Sequence, residues 1–225
     1  MPAPTNNVFN SVAAQYLQKD SAFYSNVSKA HDILCKVRNQ SDGHGITFVV
    51  RRNEYMPSLD RRLRNAKQYN EESHLLDDQD IVEVVADHRE VDLATIVNNE
   101  GQITAASVYL PADDLMYQDK YGIQCDISTF LGYAPDEDGA GGRAISSLCA
   151  SDMFNGDVAI LTLGETSPTG KKGEINLYFQ GDRLYNSKGR AVRWDLADPL
   201  RLPKTRRQLY SIPYLSESTI ALTPF

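Results

Sequence analysis

Val91-Asp92-Leu93-Ala94-Thr95-Ile96-Val97-Asn98-Asn99-Glu100-Gly101-Gln102-Ile103-Thr104-Ala105-Ala106-Ser107-Val108-Tyr109-Leu110 decides how this chain folds. Residues 91–97 are β-branched and apolar, the pattern of a buried strand. Asn98-Asn99-Glu100-Gly101 is turn chemistry, rich in residues that tolerate positive φ. Residues 102–110 return as a second strand, so the stretch predicts an antiparallel hairpin. Working outward, Gly139-Ala140-Gly141-Gly142-Arg143 opens a small-residue helix over 144–150. Residues 157–163 and 174–180 read as two further strands, 183–185 as a short final one, and 46–50 as an early one. The pattern predicts one α/β domain with a central mixed sheet of six or seven strands and helices on both faces.

The N-terminal part is helical by its spacing: Val8, Val12, Tyr16, Leu17, then Phe23, Val27, Ala30, Leu34 and Val37. It reads as one long helix or two broken near Asp20-Ser21, where a cap is available, and Val12, Tyr16 and Leu34 should pack it on the sheet. Residues 1–6 read as a disordered lead. Ser58 can cap a helix over 59–69, whose Arg61, Arg62, Arg64 and Lys67 suit a solvated face. Asp77-Asp78-Gln79-Asp80 is an acidic helix start, with Ile81, Val84, Val85 and His88 on one face. Short helices are expected over 113–117 and 126–131. The division is then a helical segment over 1–40, the main domain over 41–192, and an extended tail over 193–225 carrying Lys204, Arg206 and Arg207.

The bulk numbers exclude several classes. Apolar content of 41% suffices for a core without staples, and a net charge of −7 gives no global basic footprint for direct nucleic-acid binding. No apolar run reaches the ~20 residues of a membrane helix, and the first residues lack the features of a signal peptide. The three cysteines, Cys35, Cys125 and Cys149, are odd in number and widely spaced, which fits reduced thiols in the cytoplasm. His31, His44, His74 and His88 form no HxxxH pair and no cluster with the cysteines, so no zinc site is expected. Residues 164–172 look like a phosphate-binding P-loop, but five residues separate the glycines, Lys172 replaces the hydroxyl, and a strand follows where a helix is needed. A hairpin loop accounts for them better. No GxSxG elbow offers an acyl-transfer serine.

Taken in order, residues 46–186 resemble the diadenylate cyclase domain, the N-terminal domain of the DNA-integrity scanning protein and its relatives. Asp92-Leu93-Ala94 stands where that family has Asp-Gly-Ala. Gln102 to Pro111 matches its hairpin strand ending in Leu-Pro. Gly141-Gly142-Arg143-Ala144-Ile145 stands at Gly-Thr-Arg-His-Arg, and Asp157 to Glu165 matches the strand ending in an acidic pair. The resemblance implies a ligand site at Asp92, Leu93, Ala94, Leu110, Gly141, Gly142, Arg143 and Glu165. It implies that Asp92 helps hold a divalent metal, magnesium or manganese, when a nucleotide is bound or turned over. It also implies a homodimer, because the family's reaction joins two ATP molecules held face to face.

The departures are as informative. Ala144 and Ile145 replace a histidine and an arginine, Gly142 replaces a threonine, and Leu93 puts bulk where glycine admits a backbone close to the nucleotide. Losing one charged contact to a transferring phosphate commonly costs about 3 kcal/mol of transition-state stabilisation. The expectation is therefore a sensor or regulatory domain that binds an adenine nucleotide or a cyclic dinucleotide without turning it over. The alternatives are an active diadenylate cyclase, with Asp92 catalytic, and a protein-interaction domain on the same scaffold. In the plainest structural reading, Asp92 caps a turn at a strand end and Arg143 faces solvent at a helix start.

Overall fold

A computed structural model of the chain describes residues 4–19, 21–40, 45–60, 67–68, 74–87, 93–110, 131, 141–167 and 169–190. Two helices come first, α1 (Pro4–Leu17) and α2 (Ala22–Gln40). They are separate, as the break near Ser21 allows. Gln18 leaves α1 with φ 60, and Ser21 caps α2, its Oγ accepting from the Tyr24 amide at 3.1 Å. The expectation of an unstructured lead fails at residues 4–6, which lie in α1.

Strand β1 (Ile46–Arg51) follows, then a single helical turn α3 (Pro57–Asp60), a two-residue strand β2 (Lys67–Gln68) and helix α4 (Ile81–Asp87). A helix reaching residue 69 is incorrect: Lys67 and Gln68 pair with Ala106 and Ala105 of the hairpin. Tertiary pairing overrides the helical spacing there. The hairpin is β3 (Leu93–Val97) and β4 (Ile103–Tyr109), antiparallel as predicted. Asn98 organises its turn, its side-chain oxygen accepting from the amides of Glu100 at 3.0 Å and Gln102 at 2.9 Å. Helix α5 (Gly142–Met153) leads to β5 (Val158–Leu163), β6 (Ile175–Phe179) and β7 (Asp182–Asn186). Gln180 and Gly181, at φ 54 and 74, make the tight β6–β7 turn whose twist suits a hairpin. The P-loop look-alike is a hairpin loop, closed by the Ser167 amide on the Lys171 carbonyl at 2.9 Å.

The seven strands form one mixed sheet in the order β2-β4-β3-β1-β5-β6-β7, with β1 and β3 parallel and every other pair antiparallel. One face is covered by α1, α2 and α4 through Phe9, Leu17, Val27, Leu34, Val37, Ile81 and Val85, with Val12 and Tyr16 packed at its margin. The other is covered by α3 and α5 through Leu59, Leu148, Cys149 and Phe154. Burying one such side chain contributes roughly 1.5–3 kcal/mol, so the two faces carry the stability. Strand β4 holds the face assignment through two register shifts, one of them at Ser107 with φ 59. They let Ala105, Val108 and Leu110 all reach the α5 face despite their uneven spacing.

Among the described residues no helix is long and apolar enough to cross a membrane. His88, Cys125, the segments 113–117 and 126–130, and the tail beyond residue 190 lie outside the described residues.

Candidate functional site

Strand register brings the candidate residues to one edge of the sheet. Ile46 at the start of β1 pairs with Leu163 at the end of β5, and Leu163 pairs with Ile175 at the start of β6. On the other side, Thr47 lies opposite Ala94, and Leu93 pairs with Tyr109, the neighbour of Leu110. So the beginnings of β1 and β3 and the ends of β4 and β5 share an edge. Helix α5 runs away from that edge: its C-terminal Ser151 accepts from the Gly181 amide at 3.1 Å, in the turn at the far end. Its N-terminus, Gly142-Arg143, therefore sits among the site residues.

Arg143 is the centre of the arrangement. The guanidinium is buried, with the residue only 8% exposed, and not solvent-facing as the plainest reading of a helix start has it. It lies over the Cα of Gly45, where a Cβ would collide with the guanidinium and with the Leu163 carbonyl. Glycine is required there for close approach. Nη2 is 3.8 Å from Oε1 of Glu165, an ion pair between a buried cation and a half-exposed carboxylate. Nε and Nη2 have no hydrogen-bond acceptor among the described residues. Gly141, the N-cap residue, supplies no side-chain cap, and both Gly141 and Gly142 are exposed. Among the described residues nothing lies within 4 Å of where a Cβ on Gly141 would stand. An uncapped helix start carries partial positive charge and free N–H groups, so these features together suit an anion.

The other predicted residues divide. Leu93 is half-buried at the start of β3, while Ala94 and Leu110 are core residues in the same apolar cluster as Ala144. Ile145 packs against that cluster as well. The two positions where the resembling family carries a histidine and an arginine are thus spent on packing. Asp92 lies outside the described residues, as do Gly139 and Ala140.

A polar cluster beside Glu165 was not anticipated. Glu174, 8% exposed, accepts from Asn186 Nδ2 at 2.7 Å and Arg190 Nε at 2.9 Å, and pairs with Lys188 at 3.1 Å. Burial pushes its carboxyl up, but the bonds from Asn186, Arg190 and Lys188 outweigh that and hold it below the usual range. Asn186 also donates to Asn176 Oδ1 at 2.7 Å, and Asn176 to Thr162 Oγ1 at 3.4 Å. Alternation along 174–180 marks Glu174 and Asn176 as facing away from Ile175, Leu177 and Phe179. The only available signal was that an outward face carrying Glu and Asn is either solvated or a polar site.

One further group of metal-ligating side chains occurs among the described residues. A ring nitrogen of His74 and one carboxylate oxygen each of Asp78 and Asp80 lie within 4.8 Å of one another. His74 is held by its carbonyl, which accepts from the Ile103 amide at 2.8 Å, and Leu75 bridges Gln102. This places the trio by the β3–β4 turn, at the opposite end of the hairpin from Leu93 and Leu110.

No protein-family model matches the chain, and no curated protein matches it. Among solved structures, the chain is similar to DacA from Staphylococcus aureus, crystallised as a double cysteine mutant. The two are 15% identical over 73% of this chain and 89% of that one, with a TM-score of 0.45.

Proposed function

We propose that this chain is a nucleotide- or cyclic-dinucleotide-binding sensor domain that does not turn its ligand over. The observation that carries the reading is Arg143: a buried guanidinium with unpartnered donors, at an uncapped helix start that opens between two exposed glycines. Buried donors without acceptors are costly, and the half-exposed Glu165 offsets the charge only in part, so an anion completes the site. The resemblance of residues 46–186 to the diadenylate cyclase domain supplies the class of anion. The apolar packing of Ala144 and Ile145 supports loss of catalysis, since neither can neutralise a polyphosphate. In this reading the cytoplasm supplies the ligand, Asp92 orients a magnesium or manganese ion if a nucleotide brings one, and two copies facing each other are not required for binding.

Calorimetry of the full chain with cyclic di-AMP and with ATP tests it. Binding is expected, weakened by ten- to a hundredfold in Arg143→Ala, the range for loss of a charge-assisted contact. Incubation with labelled ATP and a divalent metal, followed by chromatography, is expected to return ATP unchanged. Cyclic di-AMP formation abolished by Asp92→Asn would establish the active cyclase instead. A folded sample that binds neither ligand would favour a protein-interaction role.

A further inference from the structure

The donor edge and the charge count at Arg143 carry a more specific statement, which rests on the nucleotide-site reading above. We propose that the site accepts a phosphodiester, with one negative charge per phosphorus, in preference to a nucleoside triphosphate, and that Glu165 sets this choice.

Nε and Nη2 of Arg143, neither with a hydrogen-bond acceptor among the described residues, form the side-on edge of the guanidinium. Two parallel N–H groups on that edge match two oxygens of one phosphorus. A phosphodiester offers two non-bridging oxygens and a single charge. Glu165, 3.8 Å from Nη2, already offsets part of the cation, so a monoanion beside the pair leaves a net charge near −1 next to the partial positive charge of the helix start. A triphosphate brings about four charges to the same place.

The neighbouring cations are mostly engaged elsewhere. Lys188 and Arg190 bind Glu174, and Lys172 reaches the Asn39 carbonyl at the end of α2, at 3.4 Å. Lys171 is exposed in the hairpin loop, where solvent screens it. Ala144 and Ile145 lie in or against the apolar cluster. Among the described residues, one guanidinium, half-compensated by Glu165, thus confronts the ligand. Glu165 is exposed enough to be replaced without disturbing the core, being 57% accessible at its side chain.

The test is calorimetry on the full chain with four probes: cyclic di-AMP and cyclic di-GMP against ATP and GTP, each with and without magnesium. In the unaltered chain at least one cyclic dinucleotide is expected to bind ten times or more tightly than its triphosphate counterpart. Glu165→Gln is expected to strengthen triphosphate binding tenfold or more and cyclic dinucleotide binding by much less, closing the gap. Arg143→Lys keeps the charge but loses the side-on edge, and should weaken the cyclic dinucleotide at least tenfold while the chain stays folded by circular dichroism. Triphosphate binding equal to or tighter than that of both cyclic dinucleotides overturns this inference and leaves the nucleotide site standing. So does a gap that Glu165→Gln leaves unchanged. Failure of all four probes to bind a folded sample overturns the site itself, and this inference with it.

Discussion

The two faces of the sheet are built from different chemistry. On the α2 side, Phe48, Val50, Leu161, Leu163, Leu177 and Phe179 meet Val27, Leu34 and Val37 in a continuous apolar layer. The α5 side is apolar only over β3, β4 and the middle of the sheet, through Val49, Ala94, Ile96, Val108 and Leu148. Towards β7 a row of polar side chains crosses it. Strand pairing aligns Thr47, Thr162, Asn176 and Asn186, all at most 7% exposed. Towards its site end α5 buries Arg143, Ser146 and Ser147, and at its far end Ser151 and Asp152. Buried polar groups cost free energy unless every one is bonded, so an apolar row would be the more stable choice. The lesson is that one face secures the fold and the other gives up some of that security where the candidate site lies.

The apolar face is the more sensitive of the two to truncation. Phe48→Ala empties a fully buried position and is expected to cost about 4 kcal/mol, with a fall in the thermal midpoint on the order of 10 °C. Ligand affinity measured at a temperature where the variant is still folded should stay within a few-fold of normal. A Phe48→Ala chain that is fully stable, or one that is folded and no longer binds, would show that the two faces do not divide the labour this way.

A weak point of the apolar face titrates. His31 is 1% exposed, stacked on Phe9 with ring centroids 3.7 Å apart and edge-on to Tyr185 at 5.7 Å. Burial pushes its pKa down to about 4, against an opposing pull from Asp32, 3.7 Å away. Above pH 6.5 the ring is neutral in both folded and unfolded chains. As pH falls from 6.5 towards 4, the unfolded chain takes up a proton that the folded ring refuses, so stability is lost through that window. The loss is on the order of 3 kcal/mol at its fullest. Denaturant midpoints measured between pH 7 and 4 should show the decline, and His31→Phe should flatten much of it. An unchanged slope in that variant would move the acid sensitivity to the polar face.

On that polar face, Gly45→Ala drives a methyl into the Arg143 guanidinium and the Leu163 carbonyl. Overpacking of this kind costs about 2 kcal/mol. Here it should also displace the donor edge, so ligand affinity is expected to fall at least tenfold, as in Arg143→Ala. Loss of stability with affinity intact would mean the guanidinium is a structural prop.

Much of the fold was legible because it is local. The hairpin over 93–109 announced itself through β-branched runs around the Asn98-Asn99-Glu100-Gly101 turn, and Ser21 through its place between two apolar periods. The β2 strand was not legible, because two residues, Lys67 and Gln68, take their conformation from a partner nearly forty positions away. At the site, the glycine-rich helix start and the acidic residue after β5 pointed to Arg143 and Glu165, and the structure brings those two together. Gly45 gave no signal, since its role exists only once Arg143 folds over it. The Glu174 cluster was hidden for a related reason: alternation shows that a side chain leaves the core face, and cannot show that Asn186, Lys188 and Arg190 enclose it there.

The finest distinction concerns a single hydroxyl. Thr162 Oγ1 accepts from Asn176 Nδ2 at 3.4 Å, long for a hydrogen bond, and its own position is 2% exposed. Thr162→Val keeps the shape, removes the weak bond and places a methyl on a face that is apolar one strand pair further along, at Ile160. The gained apolar contact offsets only part of the cost of leaving the buried Asn176 Nδ2 without that acceptor, so a loss of about 1–2 kcal/mol is expected. Asn176 keeps its stronger contact, because Asn186 still donates to its Oδ1 at 2.7 Å. Chemical denaturation of the variant resolves an effect of that size. A cost of 3 kcal/mol or more would show that the row from Thr47 to Asn186 is a cooperative network on which the fold depends. It would then no longer stand as a concession of stability to the site.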